Sequence, residues 1–174
     1  MVEGIDGEKL SPHPGGKGGI AVLSGLEVVL LEDCPTVKGK GTRLENDERA
    51  MTDLVRKVAL ELAPGHDAVR CVIEQQRGMP KQPTGSALKL GTNLGIWVGA
   101  VAALGLPYQV ETPQAWQAVM LAGLPRKDAT KSSSRIAAGR LYPDADLGGK
   151  SNDGRCDALL IAEFARRQLV GASA

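Results

Sequence analysis

Aromatic residues are nearly missing from this 174-residue chain: two Trp, two Tyr and one Phe make up 3% of it. Its core must therefore rest on Leu, Val, Ile and Ala. Histidine occurs only at His13 and His66, both in Pro/Gly-rich stretches that read as surface loops rather than ligand positions. The three cysteines, Cys34, Cys71 and Cys156, are widely spaced and lack the paired spacing of a metal site. They read as free thiols of a reducing compartment. No charged segment followed by an apolar one opens the sequence, so no secretory signal is expected. The most apolar stretch, Leu94 to Pro107, is too short to span a bilayer, so no membrane association is expected. Net charge is only +1, so the total gives no reason to expect a nucleic-acid partner.

The distribution of charge says more. Acids are missing between Gln75 and Val110, where Arg77, Lys81 and Lys89 stand. Lys38, Lys40 and Arg43 form a second basic cluster, and Arg126, Lys127, Lys131, Arg135 and Arg140 a third. Acids gather instead from Glu45 to Asp67. Such segregation suits one basic face, although solvated helix faces produce it more often.

With 43% hydrophobic and 24% charged residues, the composition is that of a globular protein, expected to form one domain over residues 1–174. Met1–Asp6 reads as a first strand, followed by a glycine- and proline-rich loop to Gly18. Gly19–Leu23 and Leu26–Leu31 read as two strands joined by a Ser24-Gly25 turn. After a Lys38–Arg43 loop, Met51, Leu54, Val55, Val58 and Leu62 keep helical spacing up to Pro64-Gly65. Val69 to Gln76 is a buried strand ending on Glu74, next to a loop containing Gly78, Pro80 and Pro83. A long helix follows over Ser86–Leu104, striped with Gly91, Gly95, Gly99 and Ala103. Interior glycines cost helix stability; the stripe lets another backbone approach, either the chain's own sheet or a second subunit. Leu106–Val110 is a further strand, and Thr112-Pro113 supplies the cap and first turn of the next helix. Helices near Lys127–Leu141 and Asp153–Leu169 close the chain. The order βββαβαβααα predicts an α/β domain with a mixed sheet.

Four acids stand at comparable positions. Asp6 and Glu74 end strands, where open α/β sheets bind their ligands. Asp153 and Asp157 share a helix face, and Asp157 borders an apolar stripe through Ile161 and Phe164. Strand-end acids more often mark an exit into water, and Asp153 also fits a helix cap. Four converging carboxylates without a partner His or Cys nonetheless favour hard-cation chemistry, with Mg²⁺ shared with a phosphate. Two such ions activate water and stabilise the leaving oxygen of a phosphodiester. A glycosidase needs only two carboxylates and leaves the basic loops without a purpose.

Gly4-Ile5-Asp6, Gly19-Ile20-Ala21-Val22, Val72-Ile73-Glu74-Gln75 and Asp153-Gly154-Arg155-Cys156-Asp157-Ala158-Leu159-Leu160-Ile161-Ala162, in this order, resemble the RuvC-type Holliday-junction resolvases of the ribonuclease H-like fold. Gly95-Ile96-Trp97-Val98-Gly99, Thr112-Pro113-Gln114-Ala115-Trp116 and Lys127-Asp128 resemble the phage and chloroplast branch of that family. The resemblance implies a mixed five-stranded sheet flanked by helices and a homodimeric endonuclease that nicks four-way DNA junctions symmetrically. It implies Mg²⁺ as cofactor, two ions per site and replaceable by Mn²⁺, held by Asp6, Glu74, Asp153 and Asp157. Lys127 would stand beside the reacting strand. Lys38, Lys40, Arg77, Lys81, Lys89, Lys127 and Lys131 are the expected DNA contacts. The expected setting is the cytoplasm, that of a host cell if the chain is phage-encoded, with an organelle as the other option. Two rival readings remain open: a ribonuclease H-like nuclease acting on RNA or RNA–DNA hybrids, and a catalytically silent junction-binding protein.

Overall fold

The computed structural model describes residues 2–6, 18–41, 44–62, 69–75, 83–124, 130–149 and 153–171, with backbone only for 2–6, 62, 130–132 and 169–171. His13, His66, Arg77, Lys81 and Lys127 lie outside the described residues. The strands are β1 (Val2–Asp6), β2 (Gly19–Ser24), β3 (Glu27–Asp33), β4 (Thr36–Lys38), β5 (Leu44–Asn46), β6 (Arg70–Glu74) and β7 (Tyr108–Glu111). The helices are α1 (Glu48–Lys57), α2 (Thr84–Ala103), α3 (Pro113–Met120), α4 (Thr130–Leu141) and α5 (Gly154–Gly171). A π-helical turn, Val58–Leu62, extends α1.

The main sheet has five strands in the order β3-β2-β1-β6-β7. β1, β2 and β3 pair antiparallel, whereas β6 runs parallel to both β1 and β7. This is the mixed sheet expected from three hairpin-like strands followed by strands entered through helices. Alternation along each strand divides the core in two. Ala21, Leu23 and Val72 face α5 with Trp116 and Leu159, while Ile20, Val22, Cys71 and Ile73 face α1 and α2 with Met51, Val55 and Trp97. Both faces of the sheet are covered, which is why β6 is apolar almost throughout.

Three details differ from the sequence expectations. The hairpin turn is Gly25-Leu26 rather than Ser24-Gly25; Gly25 takes φ 61°, a conformation that glycine adopts without the steric cost of a Cβ. The segment after Asp33 is not simply a loop, because β4 and β5 form a small antiparallel sheet of their own. Val37 is β-branched, Gly41 turns the chain with φ 74°, and the Asn46 amide donates to Asn93 Oδ1 on α2 at 2.9 Å, which ties this sheet to the domain. Finally, Gly91, Gly95 and Gly99 are exposed rather than packed on the described part of the sheet. A Cβ built at any of them meets nothing within 4 Å among the described residues. Leu90, Trp97 and Val101 form the buried side of α2 instead.

Cap chemistry fixes helix starts as expected. Thr112 Oγ1 accepts from Ala115 N, with Pro113 in the first turn, and Asp47 Oδ1 accepts from Ala50 N at 2.9 Å. The far half of α5 carries a buried acid, Glu163, which accepts from Tyr142 Oη (2.7 Å), Arg166 Nε (2.7 Å) and Arg167 Nε (2.8 Å). Burial pushes the Glu163 carboxyl up, but hydrogen bonds from Arg166, Arg167 and Tyr142 outweigh it and hold the group at about 2. A carboxyl whose folded value lies below its unfolded one adds stability above the unfolded value and loses it as pH falls towards the folded value. Between about pH 4.5 and 2 the protein is therefore expected to lose roughly 3 kcal/mol through this group. Glu163→Gln should flatten that part of the stability–pH curve in denaturant titrations; an unchanged acid limb would show that Glu163 is not coupled to folding.

Candidate active site

β1 and β6 are neighbouring parallel strands in register, with Ile5 opposite Ile73, so Asp6 and Glu74 hold the next positions at their carboxyl ends. Glu74 has the parity of Val72 and so belongs to the α5 face of the sheet. Its side chain is only 1% exposed. Of Asp6 the structure describes the backbone, which pairs with Gly19 across β2.

Gly19 sets how closely α5 approaches this edge. A Cβ at position 19 would stand 2.7 Å from the Gly154 carbonyl oxygen and 2.9 Å from Arg155 N. Only a residue without a side chain lets the first turn of α5 rest on the start of β2. Gly19→Ala is expected to cost roughly 1–3 kcal/mol through overpacking, with each kcal/mol lowering the melting temperature by about 2–4 °C in a chain of this size. An alanine variant that melts like wild type would mean that the helix start yields freely.

Asp153 and Asp157 occupy that first turn, with Asp157 N donating to the Asp153 carbonyl at 2.9 Å. Asp153 is buried and Asp157 is 1% exposed. Both acids are buried, whereas the sequence pattern places Asp157 only at the edge of a buried stripe; α5 is buried almost all round over 154–165.

Two residues without a role in the sequence reading, Trp116 and Arg135, meet these acids, and a third, Arg155, ties the start of α5 to neighbouring segments. Trp116 Nε1 donates to Glu74 Oε1 at 2.9 Å. Arg135 on α4 donates to the carbonyls of Leu147, Gly148 and Gly149, and its Nε lies 3.6 Å from Asp153 Oδ1. Arg155 forks onto both oxygens of Asp33 (3.0 and 3.1 Å) and reaches Asp146 Oδ2 at 2.7 Å, joining β3, the 142–149 segment and α5. Hydrogen bonds from Gly148 N and Arg155 hold the Asp146 carboxyl below its ordinary value. Trp116 and Arg155 stand inside the motifs singled out from the sequence. A buried indole N–H needs an acceptor, a signal that was available for Trp116. Arg135 carried no local signal, since its partners are distant in sequence.

Burial, opposed by Arg135 and aided by Asp153 and Asp157, holds the Cys156 thiol up at about 11. The thiol is thus an inert core group, and all three cysteines are buried, with no disulfide among the described residues.

The predicted DNA contacts are scattered over several elements. Lys38 ends β4 and is exposed, as is Lys40, while Lys89 is half-buried near the start of α2. Lys131 lies on α4, described by its backbone alone. Among the described residues no three His, Cys, Asp or Glu side chains form a ready metal-holding group, and the Asp6 side chain is not among them. No helix among the described residues is long and apolar enough to cross a membrane.

No family model matches the sequence, and no curated protein matches it. The fold does have counterparts among solved structures. The chain is similar to a Thermus thermophilus RuvC structure at 19% identity and a TM-score of 0.57, covering 98% of this chain and 96% of that one. It is similar to T. thermophilus RuvC in complex with Holliday junction substrate at 19% identity and a TM-score of 0.61, covering 98% of this chain and 95% of that one. The five-stranded mixed sheet and its flanking helices are therefore those of the ribonuclease H-like fold in its RuvC form.

Proposed function

We propose that this protein is a structure-selective endonuclease that resolves four-way DNA junctions by paired, Mg²⁺-dependent hydrolysis of phosphodiesters. The observation that carries the reading is a set of buried carboxylates, Glu74, Asp153 and Asp157, at the end of the sheet where the first turn of α5 rests on β2 beside Asp6. Buried acids are costly unless something of opposite charge meets them. Their all-oxygen donor set suits a hard cation, and the fold is one whose T. thermophilus counterpart has been seen with Holliday junction substrate.

Asp6, Glu74, Asp153 and Asp157 would hold two Mg²⁺ ions, with Mn²⁺ able to replace them. When bound, the ions supply a water of lowered pKa and offset charge on the leaving oxygen. The chain's own residues do the rest. Glu74 and Asp157 keep bulk water out of the site through their burial. Arg135 steadies Asp153 and the segment before it. Lys127 places positive charge beside the scissile phosphate. Lys38, Lys40, Arg77, Lys81, Lys89 and Lys131 hold neighbouring phosphates, so junction affinity falls steeply with salt.

A junction with near two-fold symmetry needs two equivalent active sites, hence a homodimer. What supports this is the outward stripe of Gly91, Gly95 and Gly99 on α2, near Leu88, which is 70% exposed. Gly95→Leu is expected to give monomers by light scattering that bind junctions poorly. An unaltered dimer would place the seam elsewhere.

The deciding experiment is cleavage of a mobile four-way junction with the nicks mapped on every strand. Symmetric paired nicks that require Mg²⁺ are expected. Faster cutting of RNA–DNA hybrids would instead favour the wider ribonuclease H-like activity, and tight binding without any cutting would favour a silent junction binder.

A further inference from the structure

We infer that Trp116 is a positioning residue for the candidate active site: its indole N–H fixes the carboxylate of Glu74. This rests on the assignment of Glu74 to the metal site. Trp116 Nε1 donates to Glu74 Oε1 at 2.9 Å, and both side chains are withdrawn from water, at 0% and 1% exposure. Hydrogen bonds onto an ionised acceptor are shorter and stronger than neutral ones, and burial strengthens them further.

The two partners also come from elements that hold them firmly. Glu74 ends β6, an interior strand of the sheet between β1 and β7. Trp116 lies in the first turns of α3, a helix begun by the Thr112 cap and Pro113. Its ring packs in the same cluster as Val72, Met120 and Leu121. A glutamate has three side-chain torsions to order, and an acid that must meet a cation loses affinity if it is left to rotate. The indole N–H removes that freedom before the cation arrives.

The molecule holds its own control. Trp97 is the second tryptophan, equally buried at 0% exposure, but its ring N–H meets no acceptor among the described residues. Trp97 fills space in the core between the sheet and α1 and α2. Trp116 fills space on the other face and in addition aims a donor at an acid of the site.

The test compares Trp116→Phe with Trp97→Phe, each of which removes an indole N–H and some ring volume. Mn²⁺ binding to DNA-free protein is measured by calorimetry, and the Mg²⁺ dependence of junction nicking is measured alongside. Loss of an outer partner of a metal ligand typically costs 10–100-fold in metal affinity or activity. Trp116→Phe is expected to weaken Mn²⁺ binding by about that factor, to raise the half-saturating Mg²⁺ concentration, and to leave junction affinity unchanged. Trp97→Phe is expected to change neither metal response. Wild-type Mn²⁺ affinity in Trp116→Phe, or equal losses in both variants, would overturn the assignment, because ring packing alone would then account for the effect.

Should Trp116→Phe fail to fold, Trp97→Phe still answers the question, since it leaves Trp116 as the sole tryptophan. Its emission should shift on adding Mg²⁺, with a midpoint matching calorimetric binding. Emission blind to bound Mg²⁺ would overturn the assignment. Wild type that binds no metal and leaves junctions intact would bring down the nuclease reading itself. Wild type that cuts normally beside an unaffected Trp116→Phe would remove only Trp116.

Discussion

Glu74→Gln is expected to abolish nicking of a four-way junction and to leave junction affinity close to that of wild type. The substitution keeps the shape of the side chain and an oxygen able to accept from Trp116 Nε1, so the buried end of β6 stays satisfied. What it removes is the negative charge. An amide oxygen is a far poorer ligand for a hard cation than a carboxylate, and a site relying on several acids loses metal when one is neutralised. The proposed phosphate contacts are separate basic residues, so binding is expected to survive. Asp6→Asn should behave alike. Gel-based cleavage under single-turnover conditions, paired with a binding assay, measures both effects. A tenfold change in rate corresponds to only about 1.4 kcal/mol. A variant that still nicks at roughly a tenth of the wild-type rate has lost too little for a metal ligand, and would remove Glu74 from the metal site.

Much of this arrangement was legible in the sequence because local signals agreed with the global fold. The apolar run ending on Glu74, the Thr112-Pro113 helix start and the Asp153/Asp157 spacing each depend on nearby residues, and each matches an element of the structure. What could not be read depends on partners far apart in the chain. Arg135 meets carbonyls at positions 147–149, and Arg155 meets Asp33 across the fold. The β4–β5 pair was missed because strands of three residues give no periodicity to detect, and its anchor, Asn46 to Asn93, is a tertiary contact. The glycine stripe of α2 suggested a close backbone neighbour, but among the described residues none approaches it. Only the structure shows Gly95 facing outward, while Asn93 and Trp97 occupy the buried side. Gly19 is the reverse case: a strand glycine signals that some backbone comes near, and the structure identifies it as the start of α5.

Asp157→Asn is expected to raise the melting temperature of the metal-free protein while destroying cleavage. Asp157 is 1% exposed, in the first turn of α5 and one turn from Asp153. Carboxylates gathered in a poorly solvated place repel one another, and desolvation adds to the cost. The nearby Cys156 thiol registers that field: burial drives it up, Asp153 and Asp157 both push it in the same direction, and it stands at about 11. Arg135 offsets part of the charge from the side of Asp153, at 3.6 Å. Replacing the Asp157 carboxylate by an amide of equal size is expected to lower the repulsion among these acids without opening a cavity. Each kcal/mol relieved corresponds to about 2–4 °C in a chain of this size. Wild type recovers the difference when metal binds, because a ligand held only by the folded state stabilises it, by about 2.7 kcal/mol at a hundredfold excess over its dissociation constant. The asparagine variant gains less, so the two melting curves approach or cross as Mg²⁺ is added. Differential scanning calorimetry with and without Mg²⁺ measures this directly. If Asp157→Asn melts lower than wild type without metal and responds to Mg²⁺ to the same extent, Asp157 serves the packing of α5 and the acids do not form one site.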